Sequence, residues 1–324
     1  MTARQTGRVL ITVGDANGIG PEVAAKAAIA LCEDAALRPV IVGDRHLVDP
    51  FVQAGGFEIE TDPENWGRPR NVDLFDVSAI DAAEATPGTP TAASGRATIA
   101  YVEQAVALVK KGVGRAIVAA PHSETAVNAS GRRFSGYPNL LSELVGTGKD
   151  SVFLMLIGGG LRIVHVTLHE GINGALARLT PDLIARATLA ADQALKRLGV
   201  AAPRIGLFGI NPHAGEGGLF GDEDDRIVTP ALERLQAQGV DVHGPEGADV
   251  MLGRDGYDAF VAMYHDQGHI PVKLLAGRAA AAMSIGSGLV FSSVGHGAAF
   301  DIAGKGQASP DAAVAAVRLV GGIQ

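Results

Sequence analysis

The sequence predicts an α/β protein built on mainly parallel sheets, and three observations predict it. Short apolar runs of strand length alternate with longer amphipathic runs of helix length, which is the order that parallel sheets with helical cover require. Aromatic residues make up only 5% of the chain while glycine occurs 43 times. A core of small aliphatic side chains joined by glycine-rich turns suits α/β layers better than an all-β sandwich. Polar clusters also follow directly on apolar strands: Gly14-Asp15, Pro121-His122, His169-Glu170, Asn211-Pro212-His213 and His265-Asp266. In open α/β sheets ligands bind beyond the carboxyl ends of the strands, so these clusters can converge on one cleft.

Taken in order, residues 9–13 read as a buried strand, and residues 21–31 as a helix with Pro21 in the first turn, where its missing N–H costs nothing. Residues 40–42 form the next strand, the small polar stretch 87–95 a loop, residues 97–110 a helix, and 116–120 a strand that stops at Pro121. Strands over 152–156 and 163–167 flank the Gly158-Gly159-Gly160 turn, and residues 181–198 make a long helix with Thr180 as its N-cap. Strands at 204–210, 259–264 and 290–294 and a closing helix at 312–320 complete the alternation, with no internal repeat and no long linker.

The 324 residues, 47% hydrophobic and 19% charged, are enough for a large buried core and for one to three domains. A net charge of −8 argues against a nucleic-acid partner, whose phosphates the chain would repel. The single cysteine, Cys32, excludes an intrachain disulfide and reads as a buried structural thiol in a helix. The N-terminus runs straight into a strand, without the apolar segment and cleavage site of a signal peptide. No run of about twenty apolar residues calls for a membrane span. The cytoplasm is the expectation.

Three histidines stand at strand ends: His169 after IVHVTL, His213 in GINPHAGEGG and His265 in FVAMYHDQGHIP. Each alone is an ordinary hydrogen-bonded histidine. Together, three imidazoles can supply three ligands to a divalent cation and leave positions open for substrate oxygens. Zinc suits three imidazoles, with cobalt, nickel and manganese compatible. Asp266 is placed to orient the His265 ring as an outer partner. His165 shares a strand face with Thr167 and is left out of the ligand set; His269, past a turn at Gly268, is a weaker candidate.

Two glycine-rich segments stand out. GDANGIGPEV, residues 14–23, lies between a strand and a helix, but its spacing is not GxGxxG and Pro21 sits where a dinucleotide-binding helix offers an N–H. It reads instead as a tight turn beside an active site, with Asp15 or Glu22 facing the cleft. In GHGAAFDIAGKG, residues 295–306, flexible backbone can approach a nucleotide closely, and His296, Asp301 and Lys305 offer polar contacts.

GDANGIGPEV, NPHAGEGGLFG, AMYHDQGHIPVK and HGAAFDIAGKG, in this order and over nearly the whole chain, resemble the 4-hydroxythreonine-4-phosphate dehydrogenase (PdxA-like) family. The resemblance implies an isocitrate/isopropylmalate dehydrogenase-like fold of two α/β/α domains with an interdomain cleft. Residues 1–130 with 270–324 would form one domain and 131–269 the other. It implies a homodimer with the active site at the interface, and NAD or NADP bound without a Rossmann fold. The family's metal ligands fall on His169, His213 and His265, and its phosphate-binding lysine on Lys273.

The departures point to a subgroup. The family's GHTE segment reads Gly136-Tyr137-Pro138-Asn139, a family lysine is replaced by Glu124, and a family aspartate by Gly295. The asparagine and arginine that accompany the phosphate lysine fall on Ala282 and Phe291. Losing an arginine fork and an amide removes the groups best suited to a phosphate. PHSETA, FSGYPNLL, VFLMLIGGGLRIVHVTLHE and SSVGHGAAFDIAGKG resemble the 1,2-dihydroxy-3,5-cyclohexadiene-1,4-dicarboxylate dehydrogenases of terephthalate breakdown. That likeness implies oxidation and decarboxylation of a cis-dihydrodiol dicarboxylate to protocatechuate. Tyr137, Asn139, Glu124, Lys273 and Phe291 would contact substrate, and Gly297, Asp301, Ala303 and Lys305 the cofactor. Lys273 would hold a carboxylate, and the general base is open among Asp266, Tyr264 and a metal-bound water. The alternatives are a dehydrogenase of 4-hydroxythreonine 4-phosphate or of another sugar-acid phosphate, and a catalytically inactive ligand-binding homologue.

Overall fold

A computed structural model of the chain describes residues 7–148, 150–277 and 280–322. The chain divides into two units: the stretch up to Ser135 together with Val290–Gly322, and Gly136–Leu289.

The first unit opens with β1 (Val9–Thr12), α1 (Gly20–Leu31), β2 (Val40–Gly43), α2 (Arg45–Ala54), β3 (Glu58–Glu60), β4 (Asn71–Asp76), α3 (Ala92–Lys110), β5 (Ala116–Ala119) and α4 (Glu124–Ala129). The second contains α5 (Tyr137–Val145), β6 (Phe153–Gly158), β7 (Leu161–His165), α6 (Ile172–Arg178), α7 (Pro181–Arg197), β8 (Arg204–Phe208), α8 (Thr229–Ala237), β9 (Asp241–Glu246), α9 (Ala248–Met251), β10 (Ala259–Ala262), α10 (His265–Ala276) and β11 (Ala281–Ile285). The chain returns to the first unit with β12 (Phe291–Val294) and α11 (Asp311–Gly321).

In the first unit the strands run in the order β3-β4-β2-β1-β5-β12, and every pair is parallel. Ile11 on β1 lies between Ile41 on β2 and Val118 on β5. All three strands are buried on both faces, as parallel strands covered by helices must be. In the second unit the order is β11-β6-β7-β10-β8-β9. β7, β10, β8 and β9 are parallel, while β6 pairs antiparallel with β7 and with β11. The β6–β7 hairpin turns at Gly159 and Gly160, both with positive φ, as the expected turn requires. Its core includes Leu156, Ile163, Phe208, Phe260 and Val272, and the Phe208 and Phe260 rings stack at 5.4 Å.

The caps explain where helices begin. Thr180 accepts a hydrogen bond from the Leu183 N–H at 3.2 Å and starts α7 where expected. Thr91 and Ser94 form a reciprocal capping box, so α3 begins at Ala92, five residues before the expected start at 97; residues 92–95 are therefore helix rather than loop. The turn expected at Gly268 is not one: α10 runs through Gly268 and Pro271. The units divide at 135/136 and 289/290, where the sequence places boundaries at 130/131 and 269/270. Residues beyond 269 stay with the second unit because α10 packs on β6 and β7 and β11 pairs with β6. Cys32 is half-buried, its thiol donating to the Ile29 carbonyl at 3.1 Å and pushed up by burial. Among the described residues no helix is long and apolar enough to cross a membrane.

Candidate active site

The carboxyl ends of β7 and β10 carry a cluster of four imidazoles. β7 ends at His165, opposite Ala262 of its parallel neighbour β10. Tyr264 keeps an extended backbone (φ −144°), so the chain leaves β10 and enters α10 with His265 as the first helical residue. His265 and His269 are one helical turn apart, and their rings stack at 3.8 Å with 12° between planes. His269 Nδ1 lies 3.0 Å from His165 Nε2, and His165 Nδ1 lies 3.3 Å from the Leu154 carbonyl on β6. His169, four residues beyond β7, brings its ring to 5.5 Å from that of His265.

These contacts fix the tautomers. A carbonyl can only accept, so His165 donates from Nδ1 and its Nε2 is the acceptor; His269 then donates from Nδ1. His165 is 1% exposed, and burial together with the neighbouring His269 pushes its pKa down to about 3. Burial, then His265 and His169, push His269 down to about 4. Gly268 makes the approach possible, since a Cβ there would collide with His165 Nε2. Gln267 braces the start of α10, accepting from the Met263 N–H at 2.8 Å and donating to the Gly209 carbonyl at 2.7 Å.

Asp266 Oδ1 lies 2.7 Å from His265 Nδ1, the geometry in which a carboxylate orients an imidazole and leaves Nε2 as the lone-pair nitrogen. Lys273, two turns further along α10, is half-buried, and burial lowers its pKa.

His213 stands apart from this cluster. It follows β8 on a loop whose His213 and Ala214 take left-handed backbone angles (φ 53° and 51°). The Ile210 and Asn211 N–H groups donate to Asp224 at 2.7 and 2.9 Å, and the Gly209 N–H donates to the Glu246 carbonyl at 2.8 Å, which draws the loop toward β9. There the His213 ring lies 6.0 Å from that of Phe220 and lines a cavity of about 490 Å³ with Arg204, His243, Glu246, Arg254 and Tyr257. Among the described residues no three His, Cys, Asp or Glu side chains are arranged to hold one metal ion. The expected triad is therefore not assembled within this chain: His169 and His265 come together, joined by His165 and His269, and His213 does not.

The other expected residues are distributed over both units. Glu124 is exposed at the start of α4, Tyr137 is buried at the start of α5, and Asn139, two residues on, is exposed. Phe291, expected to meet substrate, is wholly buried in this chain and pairs with Ile117 on β5. Ala282 is buried on β11. Gly297, Asp301 and Lys305 are exposed while Ala303 is buried, and the Lys305 ammonium donates to the Asp301 carbonyl at 2.8 Å. An exposed glycine-rich segment carrying one cation suits the phosphates of a nucleotide. Neither Asp15 nor Glu22 faces open space. Asp15 is wholly buried, accepts from the Asn17 N–H at 2.9 Å and the Ser94 hydroxyl at 3.3 Å, and is pushed up by burial.

For a divalent cation the donor chemistry fits at two positions, His169 and an His265 ring already oriented by Asp266, and the third ligand must come from outside this arrangement.

The family described as "Pyridoxal phosphate biosynthetic protein PdxA" matches residues 35–320. A 1,2-dihydroxy-3,5-cyclohexadiene-1,4-dicarboxylate dehydrogenase of Comamonas sp is 43% identical over 97% of this chain and 97% of its own. The crystal structure of a terephthalate 1,2-cis-dihydrodiol dehydrogenase from Burkholderia xenovorans LB400 shares 48% identity over 97% of each chain with a TM-score of 0.73. That of 4-hydroxythreonine-4-phosphate dehydrogenase from Klebsiella pneumoniae shares 34% identity over 97% of this chain and 98% of its own, with a TM-score of 0.85. Since the match runs from the first unit through the histidine cluster and back again, the chain belongs to the PdxA family and is an oxidoreductase of the dehydrogenase type.

Proposed function

We propose that this enzyme oxidises a cis-dihydrodiol dicarboxylate with NAD and releases carbon dioxide from the product. The reading rests on the 43% identity, over nearly the whole chain, to a 1,2-dihydroxy-3,5-cyclohexadiene-1,4-dicarboxylate dehydrogenase. The loss, at positions 282 and 291, of the asparagine and arginine that the family resemblance places there to hold a phosphate supports it.

The secondary alcohol and NAD⁺ give a ketone, NADH and a proton. The ketone is then β to the carboxylate on the neighbouring carbon. That carboxylate leaves as carbon dioxide, and the ring, relieved of its one tetrahedral carbon, becomes aromatic as protocatechuate. His169, His213 and His265 would hold a divalent cation, which would supply positive charge to acidify the alcohol and stabilise negative charge on oxygen. Asp266 keeps His265 in the coordinating tautomer, the His165–His269 pair backs that ring from behind, and the Lys273 ammonium binds a substrate carboxylate. The triad is completed between two copies of the chain, in a homodimer where His213 of one reaches His169 and His265 of the other. The segment from Gly297 to Lys305 receives the nicotinamide cofactor, NAD or NADP.

The second reading, a phosphorylated hydroxy-amino acid as substrate, is favoured by the TM-score of 0.85 with the Klebsiella pneumoniae enzyme and by the retained Lys273. NADH formation measured with each substrate separates the two. The proposal expects NADH and carbon dioxide in equal amounts from the dihydrodiol dicarboxylate. Turnover of 4-hydroxythreonine 4-phosphate alone would overturn it.

A further inference from the structure

The GDANGIGPEV motif is absorbed by none of the chemistry above, yet in the first unit it grips the other glycine-rich segment at several points. The Ile19 N–H donates to the Ala298 carbonyl at 2.8 Å, and Gly18 sits so close that a Cβ would lie 2.7 Å from that of Ala298. Glu22 is 1% exposed, and its carboxylate accepts from the Ala308 N–H at 2.7 Å and the Gly306 N–H at 3.2 Å. Lys26, one turn along α1, donates to Glu22 at 2.7 Å and to the carbonyls of Gly306 and Ala308, both at 2.9 Å. The N–H and the C=O of residues 306 and 308 are thus all held by one ion pair whose carboxylate is buried and whose ammonium is partly exposed. Asn17 adds a second brace: it accepts from the Thr86 N–H at 2.8 Å and donates to the Thr89 carbonyl at 2.9 Å, fixing the loop that carries Pro87 against Gly304.

Gly297, just before the first of these grips, and Asp301 and Lys305 between them remain exposed. A buried carboxylate is costly unless it is paired and hydrogen-bonded, and a pair that satisfies four backbone groups fixes one conformation of the segment it holds. Ordering a loop upon binding weakens affinity, and a loop ordered beforehand avoids that loss.

We propose that Glu22 and Lys26 are positioning residues of the cofactor site. They hold residues 297–308 in a binding-ready conformation and set cofactor affinity without touching the cofactor. This rests on the reading that the segment from Gly297 to Lys305 receives the nicotinamide cofactor.

The test uses Lys26→Met, because Lys26 is partly exposed and the variant should fold, with Lys26→Arg to restore donors and Lys305→Ala as a probe of the cofactor site itself. Cofactor dissociation constants come from NADH fluorescence, and the mobility of residues 297–308 from hydrogen exchange of the cofactor-free protein. Lys26→Met is expected to speed exchange there and to weaken NADH binding by about tenfold, equivalent to the loss of roughly one net charge-assisted hydrogen bond. The KM for cofactor should rise, kcat at saturating cofactor should change little, and Lys26→Arg should recover most of the affinity. If Lys305→Ala weakens NADH binding while Lys26→Met speeds exchange and leaves affinity intact, the positioning role is wrong and the cofactor site stands. If neither variant changes NADH affinity, the cofactor site lies elsewhere and both readings fail.

Discussion

Gly268 presses against His165: a Cβ at position 268 would collide with Nε2 of that ring and lie 2.9 Å from Ile163 Cγ2. Two effects compete when Gly268→Ala is made. Alanine is the better helix former by about 1 kcal/mol. Overpacking a filled core costs about 1–3 kcal/mol, and here the ring in the way is itself buried and hydrogen-bonded at both nitrogens. The clash should win. Gly268→Ala is expected to lower stability by about 1 kcal/mol net, read as a lower urea midpoint at unchanged slope. A more stable variant would mean that α10 can shift away from β7 without penalty.

The same buried pair makes stability pH-dependent in the metal-free protein. A histidine in the unfolded chain takes up its proton near pH 6.5, whereas in the fold His165 resists down to about 3 and His269 down to about 4. Between these limits the unfolded chain binds more protons, so acid favours unfolding. Stability is full above about pH 6.5 and falls as the pH drops toward 4. Urea denaturation from neutral to mildly acid pH should show this fall, and His165→Asn should show less of it. Equal slopes in both proteins would place the acid sensitivity on other groups.

How far the sequence carried the reading depends on the kind of signal. β1, β5 and α7 are legible because short apolar runs and a Thr180 cap are local properties. β9 is not, because Asp241–Glu246 reads DVHGPE and owes its strand to pairing with β8. α10 is hidden by Gly268 and Pro271, the two residue types that ordinarily end helices. Missing that helix hid the site's second pair: His265 and His269 are four apart, a spacing that places them on one face only if the segment is helical. A strand face shared with Thr167 leaves His165 out of the ligand set, and no local rule reveals that a helix glycine lies over its ring. The positions of His169 and His265 at strand ends were readable; the direction of the His213 loop is set by Asp224 and Glu246, distant in sequence.

On the proposed reading, Asp266 would act on the cation through His265, whose Nδ1 lies 2.7 Å from its carboxylate. Replacing it by asparagine keeps the size and a hydrogen-bond acceptor but removes the charge that makes the imidazole a stronger donor. Asp266→Asn is expected to weaken metal affinity by roughly 10–100-fold, measured by competition with a chromogenic chelator on the isolated protein. Saturating metal should return much of the activity if the role is orientation. Failure of excess metal to restore turnover, with affinity unchanged, would instead place Asp266 in proton transfer.

The separation of His213 from His169 and His265 leads to the sharpest expectation. If one chain supplied all three ligands, a chain lacking any of them would be dead in every mixture. If two copies share each site, a chain with His213→Ala still offers His169 and His265, and a chain with His169→Ala still offers His213. Mixed dimers then contain one site with all three ligands and one with neither changed histidine. Each variant alone is expected to bind metal poorly and to form no NADH. Unfolding and refolding the two together should restore a fraction of the activity, along with the metal content to match. A mixture that stays inactive, although mass spectrometry detects the mixed dimer, would show that the triad is not shared. The 209–223 loop would then have to swing within one chain, against the grip of Asp224 on the Ile210 and Asn211 amides.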